Sequence, residues 1–291
     1  MFKGAITAIV TPFLENGDVD EESLRNLVEF QIKNGIDGIV PCGTTGESPA
    51  LDYEEHHRVI GIAIDAANGT PVIAGTGSNS TREAIDITRK AADAGANASL
   101  QVCPYYNKPT QEGLFRHFSA IADAVDIPII IYNIQGRTGI NLETATLARL
   151  AKEHSNIIGV KEASGNVSQM MDVISTLPKS FTVLSGDDNL ALPLMALGGR
   201  GVISVASNII PKEMHQLAEY ALNGDFGNAQ KLHYQLLPLF RGIFIETNPI
   251  PIKSALAMKG MIKESYRLPM CAMKPENKEK LRQVLDNLKL L

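Results

Sequence analysis

Eight short apolar runs, rich in valine and isoleucine, recur along most of the 291-residue chain. In order they are AITAIV, DGIV, PVIAG, ASLQV, IPIIIY, IIGVK, FTVLS and GVISV. Each run is nearly continuous rather than alternating, which is typical of parallel strands covered on both faces. Helical patterns fill the gaps between the runs. This alternation predicts an α/β fold, a (β/α)8 TIM barrel, with a doubly wound open sheet as the alternative.

Capping signals mark several of the predicted helix starts. Asp52 and Glu55 have the spacing of a capping box, and Ser80 and Glu83 repeat that spacing one unit later. Pro211 suits the first position of a helix, where its missing N–H is not needed.

The strand signals stop after about residue 224, and only helical patterns follow. These patterns are DFGNAQKLHYQLLPLFRGIF, IPIKSALAMKGMI and NKEKLRQVLDNLKLL. We therefore expect a (β/α)8 catalytic barrel over residues 1–224 and a C-terminal helical domain over residues 225–291.

Charge and composition exclude several classes of partner. The net charge is −5 and no block of lysine and arginine occurs, so we expect neither a nucleic-acid partner nor binding to an anionic membrane surface. No apolar run approaches the roughly 20 residues of a membrane span, and the N-terminal MFKGAITAIVTPF suits a strand better than a signal peptide. Cys42, Cys103 and Cys271 form no disulfide or CxxC pattern, which favours a reduced cytoplasmic location.

The polar and glycine-rich residues are concentrated directly after the predicted strands. The stretches, in strand order, are TPF, CGTTGES, GTGSNS, CPYYNKP, YNIQGRTG, the lysine at 161, SGDD and SVASN. Active sites of (β/α)8 barrels lie at the C-terminal ends of the strands. The sequence therefore predicts an enzyme with its active site at this end.

Metal and phosphate sites are not favoured. The stretch AGTGSNST lacks the third glycine of GxGxxG and the lysine of a P-loop, so a tight turn and a helix cap are the better interpretation. His56 and His57 are adjacent and would point in different directions on a helix. Asp187 and Asp188 form a lone acidic pair that suits a helix cap. We predict an enzyme without a metal ion.

Lys161 stands where a buried Val/Ile strand ends. One interpretation is a solvated lysine, and the other is a nucleophile that forms a Schiff base with a ketone. With a pKa near 10.4, roughly one amine in 2,500 is uncharged at pH 7. Burial that lowers the pKa to about 7–8 would raise that fraction several-hundred-fold, enough for attack on a carbonyl carbon.

Tyrosines and threonines at neighbouring strand ends favour the second interpretation. Tyr105, Tyr106 and Tyr132 follow adjacent strands, and the hydroxyl pair Thr44 and Thr45 follows another. Carbinolamine, imine and enamine chemistry requires proton transfers, and no histidine occupies these strand ends. The hydroxyl groups are therefore candidates for a proton relay. A loop arginine after the fifth strand is suited to a substrate carboxylate, with a surface ion pair as the alternative.

Together these motifs resemble the dihydrodipicolinate synthase family, part of a wider group of Schiff-base, pyruvate-dependent aldolases and lyases. The matching stretches are GTTGES, PYYNKPTQEGL, YN followed by GRTG, VKEASGN, LSGDD, GVISV and FIETNPIPIK, and they cover essentially the whole chain in order. The resemblance implies that pyruvate condenses with L-aspartate-4-semialdehyde in lysine and diaminopimelate biosynthesis. It implies no cofactor beyond the covalent imine with pyruvate.

The resemblance also implies roles for individual residues. Lys161 matches the residue that forms the imine, and Thr44, Tyr132 and Tyr106 match the proton relay. The family's counterpart of Tyr106 reaches into the neighbouring subunit, so a homo-oligomer, a dimer of dimers, is expected. The substrate-binding positions that match are Thr45 for the pyruvate carboxylate, Arg137 for the semialdehyde carboxylate, and Gly186 and Ile203 for the backbone lining.

Three alternatives remain at this point: a sialic-acid (N-acetylneuraminate) lyase, a sugar-acid aldolase, or an inactive regulatory relative. Sialic-acid lyases usually carry Ser-Thr in the first motif and lack the arginine after the fifth strand. A regulatory relative would be free to lose a catalytic residue, and none is missing. Two departures from the family are Gln135 where a proline is common, which puts the aim of Arg137 in doubt, and Cys103 where threonine is common.

Regulated members of the family bind lysine in a cleft between subunits. The matching positions here are Ser48, Pro49, Tyr53, His56, Asn79, Glu83 and Tyr105. Glu83 is suited to pair with the amine of lysine. Inhibition by L-lysine is therefore a further expectation.

Overall fold

Eight parallel strands form the centre of the structure, a computed structural model that describes residues 2–291. Met1, the first residue of the predicted barrel, lies outside them. The strands are β1 (Gly4–Ala8), β2 (Gly38–Val40), β3 (Ile73–Gly75), β4 (Ala98–Val102), β5 (Ile129–Asn133), β6 (Ile157–Glu162), β7 (Thr182–Ser185) and β8 (Gly201–Ser204).

Strand pairing confirms the barrel and excludes the open sheet. Pairs run in chain order from β3 to β8, β8 then pairs with β1, and β1 pairs with β2. A parallel bridge between Ile39 and Val72 joins β2 to the residues before β3, so the ring is nearly closed.

Helices follow the strands as the apolar patterns predict. They are α1 (Glu21–Lys33), α2 (Tyr53–Ala66), α3 (Thr81–Asp93), α4 (Gln111–Ala124), α5 (Gln135–Thr138), α6 (Thr144–Glu153), α7 (Val167–Thr176), α8 (Ala191–Ala196) and α9 (Pro211–Leu222). The capping box of Asp52 and Glu55 before α2 is confirmed, as is Pro211 at the start of α9.

Of the two hydrogen bonds predicted for the second capping box, that of Ser80 and Glu83, one forms and the other does not. The Ser80 hydroxyl accepts from the backbone N–H of Glu83, as expected. The Glu83 carboxylate, however, accepts from the hydroxyls of Tyr53 and Ser78 instead of returning to Ser80. Two nearby hydroxyl donors therefore outcompete the backbone donor.

Side chains fill the interior of the barrel and confine any site to its ends. This interior cluster contains Ile6, Ile73, Ile130, Leu184 and Ile203, each of them fully buried. Burial of one such side chain contributes about 1.5–3 kcal/mol to the stability of the fold. The barrel is a packed core and not a channel.

Three helices follow the barrel: α10 (Phe226–Gly242), α11 (Ile250–Met258) and α12 (Pro275–Asn287). The first two lie within predicted helical stretches, whereas α12 begins at Pro275, ahead of the predicted stretch that starts at Asn277. Leu236, Ile252 and Leu281 from these helices share one hydrophobic cluster with Phe13 and Val28 of the barrel. The core is thus continuous across residue 224, and the predicted domain boundary there stays a prediction. Within residues 2–291, no helix combines the length and the apolar character needed to cross a membrane.

Candidate active site

The register of β5 and β6 places Lys161 directly beside Tyr132. The Nζ atom of Lys161 lies 4.2 Å from the centre of the Tyr132 ring. Lys161 is only 6% exposed, although its strand ends one residue later at Glu162. The interpretation of a solvated lysine is therefore wrong.

Burial changes the chemistry of the Lys161 amine. It lowers the pKa of Lys161 to about 8, and Arg137 adds to this shift, whereas Asp187 and Asp188 oppose it. With this pKa, roughly one amine in ten is uncharged at pH 7. Lys161 therefore has the uncharged population that a nucleophilic amine requires.

A small pocket of about 40 Å³ surrounds the end of the Lys161 side chain. Six of the eight predicted catalytic and substrate-binding residues line it: Thr44, Thr45, Tyr132, Arg137, Lys161 and Gly186. They come from the ends of β2, β5, β6 and β7. The closed barrel explains why residues so distant in sequence meet at one point.

The other two predicted residues, Ile203 and Tyr106, do not line this pocket. The Ile203 side chain is fully buried in the interior cluster of the barrel. Tyr106 is 90% exposed and has φ = +72°, a left-handed conformation that is rare for a residue with a side chain. Within one chain Tyr106 projects into solvent.

Tyr132 is suited to transfer protons because it remains neutral at physiological pH. Burial raises its pKa to about 12, with Asp187 adding to the shift, whereas Arg137 and the adjacent Thr44 hydroxyl oppose it. A protonated phenol can donate a hydrogen bond or a proton to an oxygen atom of a substrate bound to Lys161, at the step in which that oxygen leaves.

Asn248, which the sequence analysis did not single out, links two of the predicted residues. Its side-chain Nδ2 donates to the Thr45 hydroxyl at 3.0 Å, and its backbone carbonyl oxygen accepts from the Arg137 guanidinium at 3.3 Å. The only sequence signal was its place in the FIETNPIPIK stretch. Arg137 itself lies in the short helix α5, which begins at Gln135, so a helical turn forms here without the usual proline.

The acidic pair after β7 splits between two roles. The buried Asp188 accepts from the backbone N–H groups of Val205 and Ala206, so it caps a helical turn after β8 rather than its own helix. Asp187 lines the Lys161 pocket, and burial raises its pKa to about 6. Asp187 is thus a pocket residue that its sequence pattern did not indicate.

A larger cavity of about 610 Å³ opens beside the pocket. Thr44, Tyr132 and Arg137 line one part of it. Six of the seven predicted regulatory residues line another: Ser48, Pro49, Tyr53, His56, Glu83 and Tyr105. Asn79, the seventh, donates to the backbone carbonyl of Tyr105. The two predicted sites thus share one cavity within the chain.

The adjacent histidines at the start of α2 are separated, as predicted. The ring centroids of His56 and His57 are 5.9 Å apart and the rings are nearly perpendicular. In residues 2–291, no group of three or more histidine, cysteine, aspartate or glutamate side chains is placed to hold a metal ion.

Gly186 provides a direct test of how tightly the pocket holds Lys161. A Cβ atom at this position would lie 2.5 Å from the Ala163 Cβ and 3.0 Å from the Lys161 Cε. We expect Gly186→Ala to displace the lysine side chain, to lower kcat by about 10- to 100-fold and to cost about 1–3 kcal/mol of unfolding free energy. Steady-state kinetics and thermal unfolding measure both effects.

Gly61→Ala is the matched control, because a Cβ built at this helical glycine would meet no heavy atom of residues 2–291 within 4 Å beyond its chain neighbours and its own helix backbone. It should leave kcat unchanged and stabilise α2 by up to about 1 kcal/mol. Wild-type kinetics in Gly186→Ala would show that the Lys161 side chain can move to make room for the added methyl group without loss of activity.

Comparison with known proteins gives a consistent result over the whole chain. The model of the dihydrodipicolinate synthetase family matches residues 1–288. The 4-hydroxy-tetrahydrodipicolinate synthase of Thermodesulfovibrio yellowstonii is 56% identical and is covered completely, as is this chain.

Two solved structures superpose closely. A chloride-inhibited dihydrodipicolinate synthase from Acinetobacter baumannii, complexed with pyruvate, has a TM-score of 0.98 and 47% identity over 100% of both chains. A DHDPS from Cyanidioschyzon merolae with lysine bound has a TM-score of 0.96 and 43% identity, and the match covers 100% of this chain and 99% of that one.

Proposed function

The chain belongs to the dihydrodipicolinate synthetase family, and we propose that it catalyses the 4-hydroxy-tetrahydrodipicolinate synthase reaction, the condensation of pyruvate with L-aspartate-4-semialdehyde. The observation that supports this most strongly is the buried Lys161, with its lowered pKa, in a pocket lined by Tyr132, Thr44, Thr45 and Arg137. The pyruvate bound by the Acinetobacter protein supports the choice of the first substrate.

The proposed reaction begins at the Lys161 amine. The uncharged amine attacks the ketone carbon of pyruvate, and the resulting carbinolamine loses water to give an imine. Loss of a proton from the methyl group converts the imine into an enamine, whose terminal carbon is nucleophilic.

The enamine then attacks the aldehyde carbon of the semialdehyde, forming a carbon–carbon bond and regenerating the imine. The amino group of the added substrate attacks the imine carbon and closes the ring. Expulsion of the Lys161 amine completes the cycle. No oxidant, reductant or further cofactor is needed, since each step only forms or breaks covalent bonds and transfers protons, without a net oxidation or reduction.

In this proposal, hydroxyl groups transfer the protons. Tyr132 and Thr44 lie beside the lysine, and the exposed Tyr106 would come from the neighbouring subunit. A tyrosine held outward in a left-handed conformation is suited to such a reach, because strained backbone is retained at functional positions. The dimer of dimers and the cytoplasmic location belong to this proposal.

Two groups are proposed to bind the substrate carboxylates. The Thr45 hydroxyl, oriented by Asn248, binds the pyruvate carboxylate. Arg137, which is held by the Asn248 carbonyl, binds the carboxylate of the semialdehyde with its planar guanidinium.

Pyruvate consumption by the purified protein tests the function. We expect consumption only when L-aspartate-4-semialdehyde is present, and no cleavage of N-acetylneuraminate or of 2-keto-3-deoxy sugar acids. Cleavage of one of these acids without turnover of the semialdehyde would favour the corresponding alternative. No activity toward any of them would favour a regulatory protein.

We further propose that the large cavity binds L-lysine, as the bound lysine in the Cyanidioschyzon structure supports. Its volume of about 610 Å³ lies in the usual range for small-molecule sites. Glu83 supplies a carboxylate for the lysine side-chain amine, but the Tyr53 and Ser78 hydroxyls already donate to it. The amine must therefore compete with two hydrogen bonds.

Millimolar L-lysine should inhibit the enzyme, and Glu83→Gln should raise the half-inhibitory concentration about tenfold, the effect of losing roughly 1.4 kcal/mol of binding. The control is Asp86→Asn on the same helix, which removes an exposed carboxylate outside the cavity. Initial rates against lysine concentration give both values. An unchanged rate at millimolar lysine would rule out this regulation.

A further inference from the structure

A buried ion pair joins the C-terminal helices to the loop that follows β2. Lys253 of α11 donates to the carboxylate of Glu47, and the two side chains are 0% and 2% exposed. The Lys253 ammonium also lies 4.3 Å from the centre of the Phe13 ring. The Oε2 atom of Glu47 has no hydrogen-bond partner among residues 2–291. Neither charged residue lines the Lys161 pocket.

Stability alone does not account for this ion pair. Two charges taken from water carry a large desolvation cost, and well-packed apolar side chains of similar volume are often equally or more stabilising. Burial lowers the pKa of Lys253, while the Glu47 carboxylate opposes the shift. The conformation that the Glu47–Lys253 pair imposes on the loop after β2 is therefore the better explanation for its presence.

Glu47 ends the turn that carries Thr44 and Thr45. Its φ of +52° lies in the left-handed region, which is unfavourable for a residue with a side chain. Its backbone N–H donates to the Thr44 carbonyl at 3.1 Å, and the Thr11 hydroxyl donates to the Gly46 carbonyl at 2.7 Å. The turn is thus compact and strained, and the Glu47 side chain anchors its last residue.

A second contact to the same turn comes from the same segment of the chain as Lys253. Asn248, just before α11, donates to the Thr45 hydroxyl at 3.0 Å. Residues 248–253 therefore hold the turn twice, through the Thr45 hydroxyl and the Glu47 carboxylate. The contacts lie on either side of Gly46, so the segment restrains both ends of the Thr45–Glu47 stretch.

We propose that Glu47 and Lys253 are positioning residues that keep the Thr44–Thr45 turn in its reactive geometry. The helices after the barrel then contribute to catalysis as well as to packing. The inference rests on the proposed function, in which Thr44 transfers protons and Thr45 binds pyruvate. Neither member of the ion pair touches substrate.

Lys253→Met tests the proposal, because it removes the charge while keeping most of the side-chain volume. We expect kcat to fall by about tenfold or more and the KM for pyruvate to rise several-fold, the size of effect caused by small misplacements of reactive groups. Hydrogen exchange at the amides of residues 43–47 should become faster. All measurements are made well below the unfolding temperature of each variant.

Lys278→Met is the matched control. It breaks the ion pair between Lys278 of α12 and Glu264, which lies between α11 and α12. We expect a slightly lower unfolding temperature, because partly exposed ion pairs contribute little to stability. The kcat, the KM and the hydrogen-exchange rates at residues 43–47 should stay within about twofold of wild type. If Lys253→Met does not fold, the double variant Glu47→Gln, Lys253→Met is used in its place. It removes both charges of the buried pair.

Wild-type kinetics and unchanged exchange at residues 43–47 in a folded Lys253 variant would overturn the proposal, since the pair would then serve packing alone. Failure of the proposed function is recognised separately, because wild-type protein would then not turn over pyruvate and the semialdehyde. The exchange measurement does not depend on turnover. It decides the positioning claim in either case.

Discussion

Lys161→Ala is expected to abolish turnover, lowering kcat by at least about 10³-fold, as loss of a covalent nucleophile commonly does. Lys161 is the lysine that lines the small pocket, and burial lowers its pKa to about 8. Among residues 2–291 no other lysine lines that pocket, so none of these residues can replace it at the same place. Pyruvate consumption in the presence of semialdehyde measures the loss.

Lys161→Arg separates charge from chemistry in the same experiment. A guanidinium keeps a positive charge beside Asp187 but stays protonated and forms no imine with a ketone. It should be as inactive as the alanine variant. Substantial turnover in either variant, with the fold retained by circular dichroism, would contradict an imine at Lys161.

Tyr132→Phe is expected to lower kcat by about 10²–10³-fold, the range for removal of a general acid–base group. The variant keeps the aromatic ring that lies 4.2 Å from the Lys161 amine and loses only the hydroxyl beside Thr44. Burial of Lys161 is therefore preserved. Imine with pyruvate should still accumulate on long incubation, while its conversion to product is slow.

Tyr220→Phe is the control for the loss of a phenol hydroxyl, because Tyr220 is half-buried on α9 and lines neither cavity. It should retain wild-type kinetics. A small effect of Tyr132→Phe, within about threefold, would exclude the proton relay and leave Tyr132 with a packing role. The kcat of both variants and the amount of trapped imine decide this.

The barrel could be predicted because its signals are local. Each strand is a continuous Val/Ile run and each helix repeats apolar residues at helical spacing, so eight alternating units are visible without any contact. The ends of the strands then predict where the site lies. Lys161, Tyr132, Thr44, Thr45, Arg137 and Gly186 meet there, as this argument requires.

Contacts that depend on distant pairing could not be predicted. Asn248 and Lys253 reach the turn after β2 across about 200 residues, and nothing near them in sequence marks their partners. A carboxylate at a strand end fits a helix cap as well as a pocket, so the sequence predicts only a cap at Asp187. The spacing of Ser80 and Glu83 predicts a capping box, but Tyr53, thirty residues away, donates to the Glu83 carboxylate instead.

Tyr106 shows a different limit. The sequence resemblance assigns it to a neighbouring subunit, and within one chain it is 90% exposed. Local sequence does not reveal which exposed tyrosine a second copy of the chain would cover. Its role therefore depends on the oligomer and stays part of the proposed function.

Reduction by borohydride in the presence of pyruvate tests the central claim, that Lys161 is a buried nucleophilic amine. Peptide mass mapping should find one pyruvate-derived adduct, on Lys161 alone. Only the uncharged amine reacts, so the initial trapping rate should rise with pH and reach half of its maximum near pH 8, the pKa that burial gives Lys161. An adduct on another lysine, no adduct, or a midpoint near the 10.5 of an exposed lysine would contradict the account.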